Sequence, residues 1–563
     1  MIGRIAAFFR PLPQPPYEFA PHERPFMPGS PATPAHPLAR RIGYFLIGIL
    51  LSVTGGLGNA IISVNLPQFQ AALGLDSREA AWVLAAYSMS NVCMSILLIK
   101  FRQQFGLQTF TRIFLLGFAL IMTAHLFVHR YETALLLRAA SGVTASGVTT
   151  LAIFYLMQSL PPKARLGGFV IGFSMPQIAA PFARVISPTL LVGGDVWTLY
   201  YLEFGLTLMS LAAVALLRLP PSERLKVFER LDFLTFGLLA PGVALLCAVL
   251  VQGRIQWWTE APWIGYALAA AIVLIGAAML IEHFRANPLL NTRWLASRDI
   301  LRFALLAIAV RVLLTEQAYG SVGLLTAVGM SNEQMVTLFA VITLASLAGL
   351  GASLAMMNPL DVVRPIMFSV VLIGIGALID AHATNLTRPA NLYFSQALIA
   401  FASIFLMAPI MMLGMLRALA RGPAHIVSFS ALFGITQTLG GLGGSALLGT
   451  FQTMREKLHS HELAQSLTLA DPQVAARVQA LGGAYGRVIG DPALRQAEGA
   501  ALLSQQVTRE ANVLAFNDVF WLIFLLSCLA FAWIATRYVR LRRQGINPLA
   551  EALAAFQQRA ANR

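Results

Sequence analysis

Apolar residues along this chain come in runs of about twenty, without the every-second-residue alternation that a membrane barrel strand would need. The clearest pair lies mid-chain, at residues 233–252 and 263–283, joined by Gly253-Arg254-Ile255-Gln256-Trp257-Trp258-Thr259-Glu260. At about 1.5 Å of rise per helical residue, each run covers roughly 30 Å, the thickness of a hydrocarbon core. The two read as a helical membrane hairpin. Six further runs precede it and six follow, so the pattern predicts fourteen spans in the order six, two, six.

Composition narrows the class further. Of 563 residues, 57% are hydrophobic and 12% charged, with a mean hydropathy of +0.70. A soluble globule of that make-up is excluded, and the chain reads as an all-α polytopic membrane protein. The net charge of +15 could point to nucleic acid, but its distribution points to topology instead. Connections on one side carry Lys100, Arg102, Arg112, Lys163, Arg165, Arg218, Arg224, Lys226 and Arg230, then Arg285, Arg293, Arg298, Arg302, Arg364, Arg417 and Arg421. The other side offers little beyond Arg78, Arg130, Arg254 and Arg388. Such a bias predicts an inner-membrane protein with both termini in the cytoplasm and no nucleic-acid partner. The Arg537 to Arg543 cluster follows the same rule, with a grip on anionic membrane lipid as its other reading. Cys93, Cys247 and Cys528 fall far apart inside spans and read as apolar filler. His459 and His461 have no companion acids or cysteines in sequence, so no metal site is expected, and the pair reads as solvated.

Ions inside spans are the natural functional candidates, because each costs at least about 2.5–3.5 kcal/mol on insertion scales and therefore faces a cavity or a partner. Arg138, Arg184 and Glu203 each lie roughly 8–9 Å from the outer ends of spans 4, 5 and 6 by helical rise. They are expected to form a polar layer in which Glu203 offsets one arginine; an interfacial anchor beside Tyr200 and Tyr201 is the other reading for Glu203. Arg311 and Glu316 stand near the middle of span 9, residues 301–327. Five residues is a turn of about 140°, so the two do not share a stripe and each calls for a partner on another helix. Gln317 and Tyr319 beside them extend a candidate substrate site. Pro176 and Pro181 should kink span 5. In span 13, Gly440, Gly441 and Gly444 permit a tight helix crossing.

Several of these stretches resemble the fourteen-span drug:proton antiporters of the EmrB and QacA types, a branch of the major facilitator superfamily. The resemblance rests first on Leu231-Asp232, Gly253 with Trp257-Trp258, Glu282-His283-Phe284-Arg285 and Pro288-Leu289-Leu290. It continues in Arg138-Ala139-Ala140-Ser141-Gly142 and in Phe433-Gly434-Ile435-Thr436-Gln437-Thr438-Leu439-Gly440-Gly441-Leu442-Gly443-Gly444, where Gln437 replaces the usual arginine. It fails in two places. Gly58-Asn59 stands where span 1 normally carries an acid, and Gln103 and Gln104 replace the Asp-Arg pair of the loop before Gly106.

The resemblance implies the major facilitator fold, two six-helix bundles plus the inserted hairpin. The expected domains are a Pro-rich tail at 1–42, extended or disordered and without a signal-peptide core, an N-terminal bundle at 43–217 and the insert at 218–299. A C-terminal bundle follows at 300–540, containing a long outside connection at 451–514 with short amphipathic helices, and then a tail at 541–563. The implied activity is proton-driven export of amphipathic or aromatic compounds by alternating access. Arg138, Arg184, Glu203, Arg311 and Glu316 are the proton-coupling candidates, and Gln317, Tyr319 and Gln437 the substrate candidates. Gly142, Pro176, Pro181, Gly440, Gly441 and Gly444 are assigned to hinges and packing. No Gly-x-x-x-x-Gly-Lys loop or catalytic cluster is visible, so the chain reads as no enzyme, with no cofactor beyond the proton gradient. In a two-membrane host the resemblance implies docking to a periplasmic adaptor and an outer-membrane channel. An uncoupled facilitator or importer, and a transport-inactive sensor or scaffold, remain the alternatives.

Overall fold

A computed structural model describes residues 29–161, 164–358, 361–422 and 424–545, with the isolated positions 23, 25 and 550. Among them the regular structure is helical apart from one isolated bridge between Pro31 and Ser222. The N-terminal bundle comprises α1 (Leu38–Val64), α2 (Ser77–Phe105), α3 (Leu107–His125), α4 (Tyr131–Ser159), α5 (Arg165–Leu190) and α6 (Trp197–Leu216). The hairpin is α7 (Arg230–Gln252) and α8 (Pro262–Phe284). The C-terminal bundle starts with α9 (Arg298–Leu313), α10 (Val336–Ala355) and α11 (Val363–Asp380). It is completed by α12 (Tyr393–Phe405, then Met407–Arg421), α13 (Ala424–Gln465) and α14 (Pro492–Arg543).

Among the described residues, thirteen helices are each long and apolar enough to cross a membrane. The fourteenth span is α9, whose path is broken: it continues through a widened π turn at Glu316–Ser321 and ends in Val322–Ala327. Inserting a residue into a helical turn is uncommon and frequently marks a functional site. α12 is interrupted for a different reason. Pro409 cannot donate to the carbonyl of Phe405, and Ser353 Oγ from α10 donates to that oxygen instead, at 3.1 Å.

Lipid is as apolar as leucine, so these helices associate through close packing and hydrogen bonds. Small residues do much of that work. Gly142 lets α4 approach Tyr87 and Ser90 of α2, and Asn91 Nδ2 donates to the Gly142 carbonyl at 3.0 Å. Gly56 admits α5, its position lying 3.4 Å from the Cα of Pro176 once a side-chain carbon is added. Gly440 and Gly444 bring α13 against Arg311 and Thr315 of α9.

The described part of the tail takes the extended one of its two expected forms, and the outside connection differs from expectation. Residues 29–37 are extended and largely buried, crossing the basic face of the N-terminal bundle: Ala32 N donates to the Pro221 carbonyl at 2.8 Å, and Gln158 Nε2 to the Ala32 carbonyl at 2.7 Å. The expectation for residues 1–22 lies outside the described residues. The outside connection is also more regular than a string of short helices. α13 runs for 42 residues and α14 for 52, so both spans continue as helices past the hydrocarbon, with Pro472–Gly483 between them. Asn517 and Asp518 sit within α14, where Asp518 Oδ2 accepts from Arg455 Nε at 2.6 Å and contacts His459 Nε2 at 2.7 Å. His459 is thus a largely buried hydrogen-bond partner of Asp518 and not a solvated residue, because the extension of α13 lies alongside α14.

Candidate functional site: buried ions of the two bundles and the hairpin

In the N-terminal bundle, Arg138 is buried, 2% exposed, about two helical turns into α4. Its Nη1 donates to the Gly58 carbonyl at 3.0 Å and its Nη2 to Asn59 Oδ1 at 2.6 Å, while the guanidinium lies 4.7 Å from the Tyr87 ring. Asn59, at the position where the resemblance leads one to expect an acid, is thus the arginine's partner. Glu203 is also buried, at the same level on α6, but it is not in ion-pair contact with an arginine: its Oε1 has no hydrogen-bond partner. A side-chain carbon on Gly58 would lie 3.9 Å from Glu203 Oε2, so α1 passes between acid and guanidinium. The expected layer exists for this pair, without the expected direct contact.

Arg184 leaves that layer altogether. Its Nη1 donates to Asn332 Oδ1 at 2.6 Å, beyond the end of α9, and its guanidinium lies 5.0 Å from the Phe339 ring of α10. Asn332 Nδ2 donates in turn to the Val64 carbonyl at 3.2 Å. These contacts fasten the bundles together at the face opposite the basic one. Near the basic face, Val170 and Ile171 of α5 pack with Leu350, Ile404 and Ala408, so the bundles also meet there.

The C-terminal bundle holds an acidic cluster. Glu316, 0% exposed, sits on the π turn, and its Oε1 accepts from Gln396 Nε2 at 3.0 Å. The same Nε2 donates to Asp380 Oδ2 at 2.7 Å, and Ser395 Oγ donates to Asp380 Oδ1. Gln317 Nε2 and Ser321 Oγ hold Gln396 Oε1, each at 3.3 Å, which fixes the amide's orientation. Glu316 Oε2 is buried and without a partner. Asp380 lines a cavity of about 320 Å³ near the face opposite the basic one, shared with His382, Thr384 and Asn391.

Sequence reasoning missed Asp380, Ser395 and Gln396. Asp380 ends its span, where an acid reads as a helix terminus, and Gln396 lies 80 residues from Glu316. Glu316 and Arg311 do not pair, as their helical offset implies. Arg311 instead lies on the seam between bundles, its Nε donating to the Gln437 carbonyl and its Nη1 to Gln177 Oε1, both at 3.3 Å. Phe173 and Phe433 meet edge to face across the same seam, 5.4 Å apart. Tyr319 points away from Gln317, its hydroxyl 3.4 Å from Gln452 Oε1.

The hairpin motif resolves into one ionic knot. Asp232 binds Lys100 of α2 at 2.7 Å and Arg285 at 2.9 Å. Arg285 also binds Glu229 at 2.8 Å and Glu282 at 2.6 Å. Thr235 Oγ1 and Leu290 N complete Glu282 at 2.7 and 3.2 Å. Hydrogen bonds from Arg285 and Asn287 hold the Glu229 carboxyl below its usual range. Burial works against the Arg285 charge, but hydrogen bonds to Glu229, Glu282 and Asp232 outweigh it and raise its pKa. Above the knot, Leu239 and Val243 of α7 pack with Val92 and Ile96 of α2 and with Ala431 of α13. α7 therefore occupies a seam between bundles, whereas α8 exposes Tyr266, Ile272 and Val273. Among the described residues no cluster could hold a metal ion.

With this geometry in view, comparison with known proteins is direct. Residues 48–445 match the Major Facilitator Superfamily, and the chain belongs to that family. It is similar to the multidrug export protein EmrB of Escherichia coli (strain K12), 23% identical over 501 residues, covering 85% of this chain and 92% of that one. EmrB of Haemophilus influenzae is 24% identical over 508 residues with the same coverage. Among solved structures, the fold resembles an auto-inhibited POT family peptide transporter, with a TM-score of 0.53, 15% identity and coverage of 89% and 97%. It also resembles the human organic anion transporter MFSD10, with a TM-score of 0.51, 13% identity and coverage of 88% and 100%. The protein is an integral membrane transporter of that superfamily, and not an enzyme.

Proposed function

We propose that this chain is a proton-driven exporter of amphipathic or aromatic compounds, working by alternating access in the cytoplasmic membrane with both termini inside. The basic connections support a cytoplasmic position for the basic face. The observation that carries the proposal is the pair of buried carboxyls, Glu316 and Asp380, held by the one amide of Gln396 without a cation in contact among the described residues. A proton can take the place of that missing cation. Asp380 borders a cavity toward the far face, and Glu316 lies deeper, on the broken span. This gives a path for protons from outside, and a π turn is a natural place for α9 to change shape on protonation. Arg138 and Glu203 form the second polar layer of the mechanism. Substrate would sit on the seam lined by Phe173, Gln177, Arg311 and Phe433, between two bundles that rock about it.

On this reading the projecting ends of α13 and α14 face the periplasm of a two-membrane host, where they offer an adaptor, and through it an outer-membrane channel, a surface to grip. The neutral Asn59 favours a second reading, an uncoupled facilitator, because the N-terminal bundle holds its arginine without an acid on α1. Accumulation of a fluorescent lipophilic cation in an efflux-deficient host separates the two. Export predicts lower accumulation on expression and its reversal by a protonophore. Accumulation that tracks the external concentration, with or without protonophore, would support the facilitator; an anionic aromatic dye run in parallel covers the opposite substrate charge.

A further inference from the structure

At the basic face of the C-terminal bundle, α9, α11, the end of α12 and α14 enclose a cavity of about 420 Å³. Five arginines reach it: Arg302, Arg364, Arg417, Arg537 and Arg542, against Asp361 alone among its lining acids. Arg364 is engaged, bound to Asp361 at 3.1 Å and to Tyr538 Oη at 3.0 Å, and Arg302 stands 3.7 Å from Asp299. Arg417 reaches only the Asp299 carbonyl, at 3.0 Å. Among the described residues, no carboxylate lies within ion-pair distance of Arg417, Arg537 or Arg542. Such a concentration of positive charge repels itself unless an anion joins it.

The rest of the cavity is apolar, with Phe303, Leu306 and Ile534 buried in its floor and Trp533 partly exposed at its side. The flanking helices carry outward-facing Leu301 and Leu305 on α9 and Leu525 and Leu529 on α14, each more than half exposed. A ligand here meets guanidinium groups at one end and a greasy, lipid-facing wall at the other. We propose that this cavity is a binding site for an anionic phospholipid, its phosphate held by Arg417 and Arg537 and its acyl chains lying along α9 and α14. A soluble phosphate would use the arginines and leave the apolar wall unmatched. Because the cavity touches α9, α11, α12 and α14 at once, the bound lipid would brace the C-terminal bundle at the end of the same helix, α9, that carries Glu316. The site does not depend on proton coupling, so it stands or falls separately from the proposed function.

Native mass spectrometry of the purified full-length protein in detergent tests it, with added phosphatidylglycerol, phosphatidylcholine of the same acyl chains, or inorganic phosphate. Phosphatidylglycerol should be retained in preference to phosphatidylcholine and should resist millimolar phosphate. The double variant Arg417→Gln/Arg537→Gln should lose about five-fold in that preference per arginine removed. Arg417→Lys/Arg537→Lys should keep most of it, which guards against a loss caused by misfolding. Equal retention of the two lipids, displacement by inorganic phosphate, or an undiminished preference in the glutamine variant would each overturn the proposal.

Discussion

Glu316 and Asp380 lean on the same amide: Gln396 Nε2 lies 3.0 Å from one carboxyl and 2.7 Å from the other. An amide NH₂ has two donors, and here both are spent on acids while its oxygen is held from the opposite side. The two acids, on α9 and α11, are thereby coupled through α12. Gln396→Leu should unlink them, taking the amide donor from Glu316 and leaving Asp380 with Ser395. Transport should fall about 5- to 150-fold, the range of a typical coupling free energy, with the protein still folded. Export rates in proteoliposomes, set beside the melting temperature, check this.

Much of the architecture was legible in sequence, for a physical reason. Hydrophobic runs of bilayer length leave little choice of fold, and a motif such as Leu231-Asp232 with Glu282 and Arg285 has to close on itself because its charges lie at the ends of two joined helices. Arg311 against Gly440 and Gly441 was half legible: the glycines announced a close crossing, but not what crosses. Gln396 was silent. A polar residue within an apolar run gives no sign of which helix it will face, and its link to Glu316 spans 80 residues. Arg184 misled because depth along a helix says nothing of azimuth; it turns toward Asn332 and not toward Glu203.

Arg138 is held at the end of its guanidinium by Asn59 of α1. Arg138→Ala removes two charge-assisted hydrogen bonds and should cost about 1.5–3 kcal/mol. Arg138→Lys should not restore it, because an ammonium cannot bridge Gly58 and Asn59 as a fork does. Asn59→Asp should be tolerated and raise the melting temperature, since it places a charge 2.6 Å from the guanidinium. Thermal unfolding in detergent distinguishes the three variants.

Lys100, Asp232 and Arg285 are buried together, their side chains no more than 10% exposed. Removing one charge strands the others. Asp232→Asn should therefore destabilise by about 3–5 kcal/mol, whereas Lys100→Met combined with Asp232→Leu should recover much of the loss. The same thermal measurement, run as a double-mutant cycle, reports the coupling.

Glu229 sets a pH dependence for the hairpin's attachment. Its carboxyl titrates below the ordinary value of 4.5 when folded, so folding gains stability from it above 4.5, and that gain is lost as pH falls through the lowered value. Melting temperature should drop between about pH 5 and pH 3, and Glu229→Gln should flatten that part of the profile.

The Arg184–Asn332 contact fastens the far face. In a background with Cys93, Cys247 and Cys528 replaced by serine, Val185→Cys places a thiol on the seam, where Val185 packs against the apolar cluster that contains Leu325, Met335 and Phe339. Asn332→Ala should speed its labelling by an impermeant maleimide about ten-fold, the effect of losing one charge-assisted hydrogen bond. An unchanged rate would mean that other contacts hold the face shut.

The central claim is that the Glu316–Asp380 pair carries the coupling proton. The direct measurement is substrate-induced proton movement across proteoliposomes with an entrapped pH-sensitive dye, for the wild type, Glu316→Gln and Asp380→Asn. The account predicts a signal in the wild type that disappears in both variants while substrate binding persists. Undiminished proton movement in both variants would contradict it and shift the search to Glu203.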